Sequence, residues 1–127
     1  LYVEDNAASR DLMAALLDSL PDVDLLTAET AEDGLEIAVR ERPDVIVMDI
    51  GLPGMSGIEA MEQIKASAEL SHIPVIALSA AAHADDLARG STAGFVRYLT
   101  KPVDMRSLLA ALTAALEHPQ RRNEKLG

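Results

Sequence analysis

Charged and hydroxyl residues stand where apolar stretches of this chain stop. Glu4 and Asp5 follow the short β-prone run LYV, Asp49 follows VIVM, Ser79 follows PVIAL, and Lys101 follows GFVRYL and Thr100. A carboxylate at the carboxyl end of a buried strand, next to a loop, sits at the rim where open α/β sheets bind ligands. Carboxylates brought together there repel one another, and a divalent cation is their natural compensator. Oxygen ligands, with neither Cys nor a suitable His pair, suit Mg²⁺, which takes one or two carboxylates plus a phosphate oxygen and keeps several waters. Asp5 and Asp49 are the expected direct ligands, with Glu4 orienting a metal-bound water. Asp49 also has the position of a nucleophile toward phosphorus, giving an aspartyl phosphate. Phosphoryl transfer needs alignment and positive charge on the equatorial oxygens, a role for Mg²⁺ and the Lys101 ammonium, while the Ser79 hydroxyl can bond a phosphoryl oxygen.

These residues need a scaffold that gathers them. The four-residue apolar run 45–48 lacks polar alternation, as expected of a strand covered on both faces, and Gly51, Pro53, Gly54 and Gly57 then turn the chain into a loop. The runs at 1–3, 23–28, 74–78 and 94–99 supply the other strands. Between them lie helical patterns opened by capping residues. Asn6 precedes the stripe Leu12, Met13, Leu16, Leu17 and Leu20; Thr30 with Asp33 precedes Leu35, Ala38 and Val39; Ser56 with Glu59 precedes Ile58, Met61 and Ile64; Asp104 precedes Met105, Leu108, Leu109, Leu112 and Leu116. A weaker, Ala-rich helix with Gly90 inside is expected over residues 80–93. Five strands alternating with five helices predict an α/β domain, a parallel five-stranded sheet of flavodoxin-like order 2-1-3-4-5 with helices on both faces. In that order the strands reverse direction of succession between the first and third, which end in Glu4, Asp5 and Asp49.

The totals agree with one such unit. A chain of 127 residues that is 49% hydrophobic holds one core. Residues 1–116 are expected to form the domain, with a first strand truncated at its start, and residues 117–127 a polar tail or linker. No apolar run approaches the roughly 18 residues of a membrane helix, so no membrane contact is expected. The net charge of −10 opposes binding of nucleic acid by this segment. The absence of cysteine fits a reducing, cytoplasmic location.

Taken together, VEDN with Glu4 and Asp5, MDIGLPGMSG with Asp49, PVIALSA with Ser79, and YLTKP with Lys101 and Pro102 give the chain up to about Leu116 the look of a receiver domain of a two-component response regulator. The phrasing of the motifs is most similar to receivers attached to hybrid sensor histidine kinases. The resemblance implies a signalling domain rather than an enzyme with turnover on a separate substrate. Asp49 would accept a phosphoryl group from a phosphohistidine of a sensor kinase or histidine phosphotransfer protein. It implies Mg²⁺ held by Asp5, Asp49 and the backbone carbonyl of Gly51, and a switch in which Ser79 moves toward the phosphoryl group while Tyr98 changes rotamer. The surface of the helix over residues 80–93, the fifth strand and the last helix would then respond and engage a downstream effector. Two alternatives carry less of the sequence. A haloacid dehalogenase-type phosphatase would place a second Asp two residues after the first, where Gly51 stands, and a docking module that has lost phosphorylation would not be expected to keep Asp5, Asp49 and Lys101.

Overall fold

The unbroken apolar run before Asp49 becomes the middle of a parallel sheet. The computed structural model describes residues 1–20, 22–52, 54–79, 94–101 and 103–116. Five strands, β1 (Tyr2–Val3), β2 (Thr27–Ala28), β3 (Ile46–Asp49), β4 (Val75–Ser79) and β5 (Arg97–Thr100), form one sheet of order β2-β1-β3-β4-β5, every neighbouring pair parallel. Four helices are described: α1 (Ala7–Asp18), α2 (Ala31–Glu41), α3 (Gly57–Ala66) and α4 (Met105–Leu116). The helix expected over residues 80–93, and the tail expected over 117–127, lie outside the described residues.

Each described helix starts at the capping residue its sequence offers. Asn6 Oδ1 accepts from the Ser9 N–H at 2.9 Å, Thr30 Oγ1 from Asp33 at 3.1 Å, Ser56 Oγ from Glu59 at 3.2 Å, and Asp104 Oδ1 from Ser107 at 2.7 Å. Each bond satisfies an amide that the first helical turn leaves without a partner. At Asp104 these bonds from Ser107 hold the carboxyl below its ordinary pKa.

The alternation of side chains along the strands divides the core into two layers. Val3, Ile46, Met48, Val75 and Ala77 face α2 and α3, where Ala31, Ala38, Ile58 and Ile64 close the layer. Tyr2, Val47, Ile76 and Leu78 face α1 and α4, against Met13, Leu17, Leu108 and Ala111. The only charged or polar residues buried among those described are Glu4, Asp49 and Ser79, all at the carboxyl ends of strands. No described helix is long and apolar enough to cross a membrane.

Three local expectations are corrected. The strand expected over 23–28 shrinks to Thr27–Ala28, because its partner β1 is two residues long and pairs only Tyr2 with Thr27 and Val3 with Ala28. The strand expected over 94–99 begins later and ends later, at Arg97–Thr100: Gly94 takes a φ of +105° in a turn, and Phe95, before the strand, is buried in the core. The apolar stripes are also narrower than read. Leu12 of α1 is 43% exposed and Val39 of α2 is 45% exposed, and Leu109 and Leu116 of α4 also face outward. A helix lying on one face of a sheet buries only the strip that meets it.

Candidate functional site

β1 and β3 are adjacent, so the acids at their ends meet. Val3 pairs with Met48 in register, and the chain leaves β1 through Glu4 and Asp5 and β3 through Asp49. Glu4, Asp5 and Asp49 each offer a carboxylate oxygen within 4.8 Å of the others. Glu4 and Asp49 are buried, whereas Asp5 is exposed, so the cluster opens to solvent on one side. β5 arrives two strands away and delivers Lys101, whose Nζ lies 2.5 Å from Glu4 Oε1 and 2.9 Å from Asp49 Oδ2. Burial works against the Lys101 charge, but the hydrogen bonds to Glu4 and Asp49 outweigh it and raise the ammonium above its ordinary pKa.

The two oxygens of Asp49 have separate duties. Oδ2 accepts from Lys101, and Oδ1 accepts from the Gly51 N–H at 2.8 Å, which folds the loop after β3 back over the carboxylate. Gly51 is thereby brought beside Asp49. Ser79 ends β4 next to Asp49 in the sheet, with Asp49 paired to Leu78, and its side chain is buried. The main chain of Lys101 is tied to the same strand: its N–H donates to Ser79 O at 2.8 Å.

The structure thus brings Glu4, Asp5, Asp49, Gly51, Ser79 and Lys101 to one rim. Tyr98 lies one layer away. It is half-buried on the α2 and α3 side, stacked edge-to-face on Phe95 with centroids 6.1 Å apart, and its buried hydroxyl has no hydrogen-bond partner among the described residues. A buried hydroxyl without a partner is costly, and its side chain gains by moving to a place where the hydroxyl is bonded.

Sequence reasoning missed three residues. Arg10, in the first turns of α1, donates from Nη1 to the Glu4 carbonyl at 2.8 Å and from Nη2 to Glu29 at 3.3 Å, fixing the end of β1. Its spacing from Asn6 on a helix was the available signal. Tyr2 donates its hydroxyl to Glu4 Oε1 at 3.0 Å, and the two-residue separation on a strand places both on one face. Gly57 lets the start of α3 touch the backbone at the end of β3: a Cβ there would lie 2.5 Å from Asp49 O and 2.7 Å from Ile50 Cα. Those atoms are main chain and cannot rotate away. Gly57→Ala is expected to destabilise the fold by about 2–3 kcal/mol, the cost of forcing a well-packed interface apart. Chemical denaturation checks this, and an unchanged midpoint would contradict the close approach.

The comparisons agree with this geometry. Residues 1–113 match the family model of the response regulator receiver domain. The chain belongs to that family. It is 38% identical over 116 residues to protein PilH of Pseudomonas aeruginosa, covering 91% of this chain and 95% of PilH. It is 33% identical to the polar-differentiation response regulator DivK of Brucella anthropi, covering 91% of this chain and 94% of DivK. Among solved structures it is similar to the receiver domain of the sensor histidine kinase PA1611 from Pseudomonas aeruginosa, with a TM-score of 0.84, 31% identity, and coverage of 92% of this chain and 95% of that one; that structure has a magnesium ion coordinated in its active site cleft. A receiver domain is a phosphoacceptor signalling domain of two-component systems, and this is the role of the chain. The receiver domain here carries no second acid two residues after Asp49, so nothing in it favours the phosphatase alternative.

Proposed function

We propose that this receiver domain takes a phosphoryl group onto Asp49 in a Mg²⁺-dependent reaction. The observation that carries the reading is the joint position of Lys101 on Asp49 Oδ2 and of Glu4, Asp5 and Asp49 around one point at the sheet rim. The donor set is all oxygen and open to solvent on the Asp5 side, which suits Mg²⁺. Asp5 and Asp49 would hold the ion directly, with the Gly51 carbonyl as a third protein ligand and Glu4 through water; the ion supplies neutralisation of charge on the phosphoryl oxygens. An Asp49 carboxylate oxygen forms the new bond to phosphorus as the phosphorus–nitrogen bond of a phosphohistidine breaks. The imidazole nitrogen leaves with that electron pair and takes up a proton. Lys101 follows the charge onto a phosphoryl oxygen, and Ser79 donates its hydroxyl to another.

The donor would be a sensor histidine kinase or a histidine phosphotransfer protein, met in the cytoplasm. Tyr98 is read as the relay to the outside, its unpartnered hydroxyl giving the ring a reason to change place when Ser79 is drawn inward. The surface of β5, α4 and the segment 80–93 would then engage a downstream effector. Residues 1–116 are read as the receiver and residues 117–127 as a tail.

Incubation with Mg²⁺ and acetyl phosphate tests the reading. Intact mass should rise by one phosphoryl group, the group should be lost in hydroxylamine as expected of an acyl phosphate, and excess EDTA should block uptake. Equal uptake in EDTA would remove Mg²⁺ from the reaction, and no uptake under any of these conditions would remove the phosphoacceptor role.

A further inference from the structure

Tyr2 and Glu4 are two residues apart across the end of β1 and point to the same face of the sheet. The Tyr2 ring is 3% exposed and lies in the apolar layer with Met13, Leu17, Val47 and Leu108. A phenylalanine would fill that place as well. The hydroxyl is therefore the informative atom, and it donates to Glu4 Oε1 at 3.0 Å. The same oxygen faces Lys101 Nζ.

Glu4 has no solvent exposure at all, so its carboxylate depends on protein donors. Three serve it: the Tyr2 hydroxyl and Lys101 on Oε1, and the Asn6 N–H on Oε2 at 3.2 Å. They differ in freedom. The Asn6 donor is main chain, and the Tyr2 donor is fixed by a buried ring. Lys101 is shared with Asp49 and is the one donor able to turn elsewhere.

We propose that Tyr2 is a positioning residue of the phosphoacceptor site: its hydroxyl pins Glu4 and shares the oxygen that holds Lys101, leaving Lys101 free to exchange Glu4 for a phosphoryl oxygen on Asp49. The proposal rests on the Mg²⁺-dependent reading of the site. Without the hydroxyl, Oε1 has Lys101 alone. Lys101 then stays closer within the carboxylate cluster, where it competes with a cation, and Glu4 loses one of the contacts that set its rotamer.

Calorimetric titration with MgCl₂ tests this in the wild type, Tyr2→Phe, Glu4→Gln and the double variant. Tyr2→Phe keeps the ring and should weaken Mg²⁺ binding about three- to tenfold, the scale of one typical hydrogen bond. In the Glu4→Gln background the same change should have no further effect, which a role in packing alone would not produce. A second readout needs no substitution at Tyr2. The chain has two tyrosines, so ¹³Cζ-labelled protein gives two signals, assigned by the loss of one in Tyr98→Phe. The Tyr2 signal should shift as Mg²⁺ is added. Wild-type affinity in Tyr2→Phe, an equal loss in both backgrounds, or a Tyr2 signal that ignores bound Mg²⁺ overturns the proposal alone. A wild-type protein that gives no binding heat and whose two tyrosine signals both ignore MgCl₂ overturns the Mg²⁺-dependent reading and this proposal with it.

Discussion

Asp49→Asn should take up no phosphoryl group from acetyl phosphate at any Mg²⁺ concentration. The substitution is nearly isosteric, and an amide oxygen at the Oδ1 position can still accept the Gly51 N–H that shapes the loop. The difference falls on the other atom. Where Asp49 Oδ2 accepts from Lys101 at 2.9 Å, the asparagine presents an NH₂ group, so two donors face each other. Lys101 is then left to Glu4, one of the carboxylates proposed to hold Mg²⁺ is gone, and the amide is a poor nucleophile. Abolition of uptake in a folded variant, checked by intact mass beside a circular dichroism spectrum, is the expected outcome. Stoichiometric uptake would mean that another carboxylate is the acceptor.

Lys101→Met is expected to damage both stability and chemistry. Glu4 is wholly buried and Asp49 nearly so, and Lys101 is the cation between them. Removing one partner of a buried ion pair leaves an uncompensated charge, so a loss of about 2–4 kcal/mol is expected in metal-free buffer. Methionine matches much of the aliphatic stem, so little of this loss comes from packing. The Glu4→Gln/Lys101→Met double variant should regain part of the stability, because the orphaned charge is removed with its partner. Phosphoryl transfer should not recover in the double variant. A positive group aimed at charge that develops during the reaction is worth roughly 10²–10³ in rate, and methionine offers none. Denaturation midpoints and single-turnover labelling rates separate the two effects. A Lys101→Met protein that labels at the wild-type rate would show that the ammonium serves the resting fold alone.

Local signals in the sequence carried further than long-range ones. Asn6, Thr30, Ser56 and Asp104 cap the helices they precede, because capping is decided within four residues. The continuous apolar runs of β3 and β4 mark the centre of a doubly covered sheet for a similar reason: each run meets helices on both faces. Edge strands were harder. The extent of β2 is set by β1, its only partner in the sheet, and no feature of residues 23–28 reports how long that partner is. At the rim, the residue types predicted that the acids and Lys101 would meet, and they do. The sequence did not say that Lys101 would rest on Glu4 as well as on Asp49, since both pairings join distant parts of the chain. The sequence marks Tyr2 as a β-former, which it is; that its hydroxyl reaches Glu4 depends on how the ring packs among residues of α1 and α4.

The hydrogen bond from the Lys101 N–H to the Ser79 carbonyl yokes two strands at the point where each hands over its polar side chain. A tug on the peptide of either residue is therefore felt by the other, and the rim responds as a hinge plate rather than as two loose fingers. Drift of one strand end relative to its neighbour would loosen both grips at once.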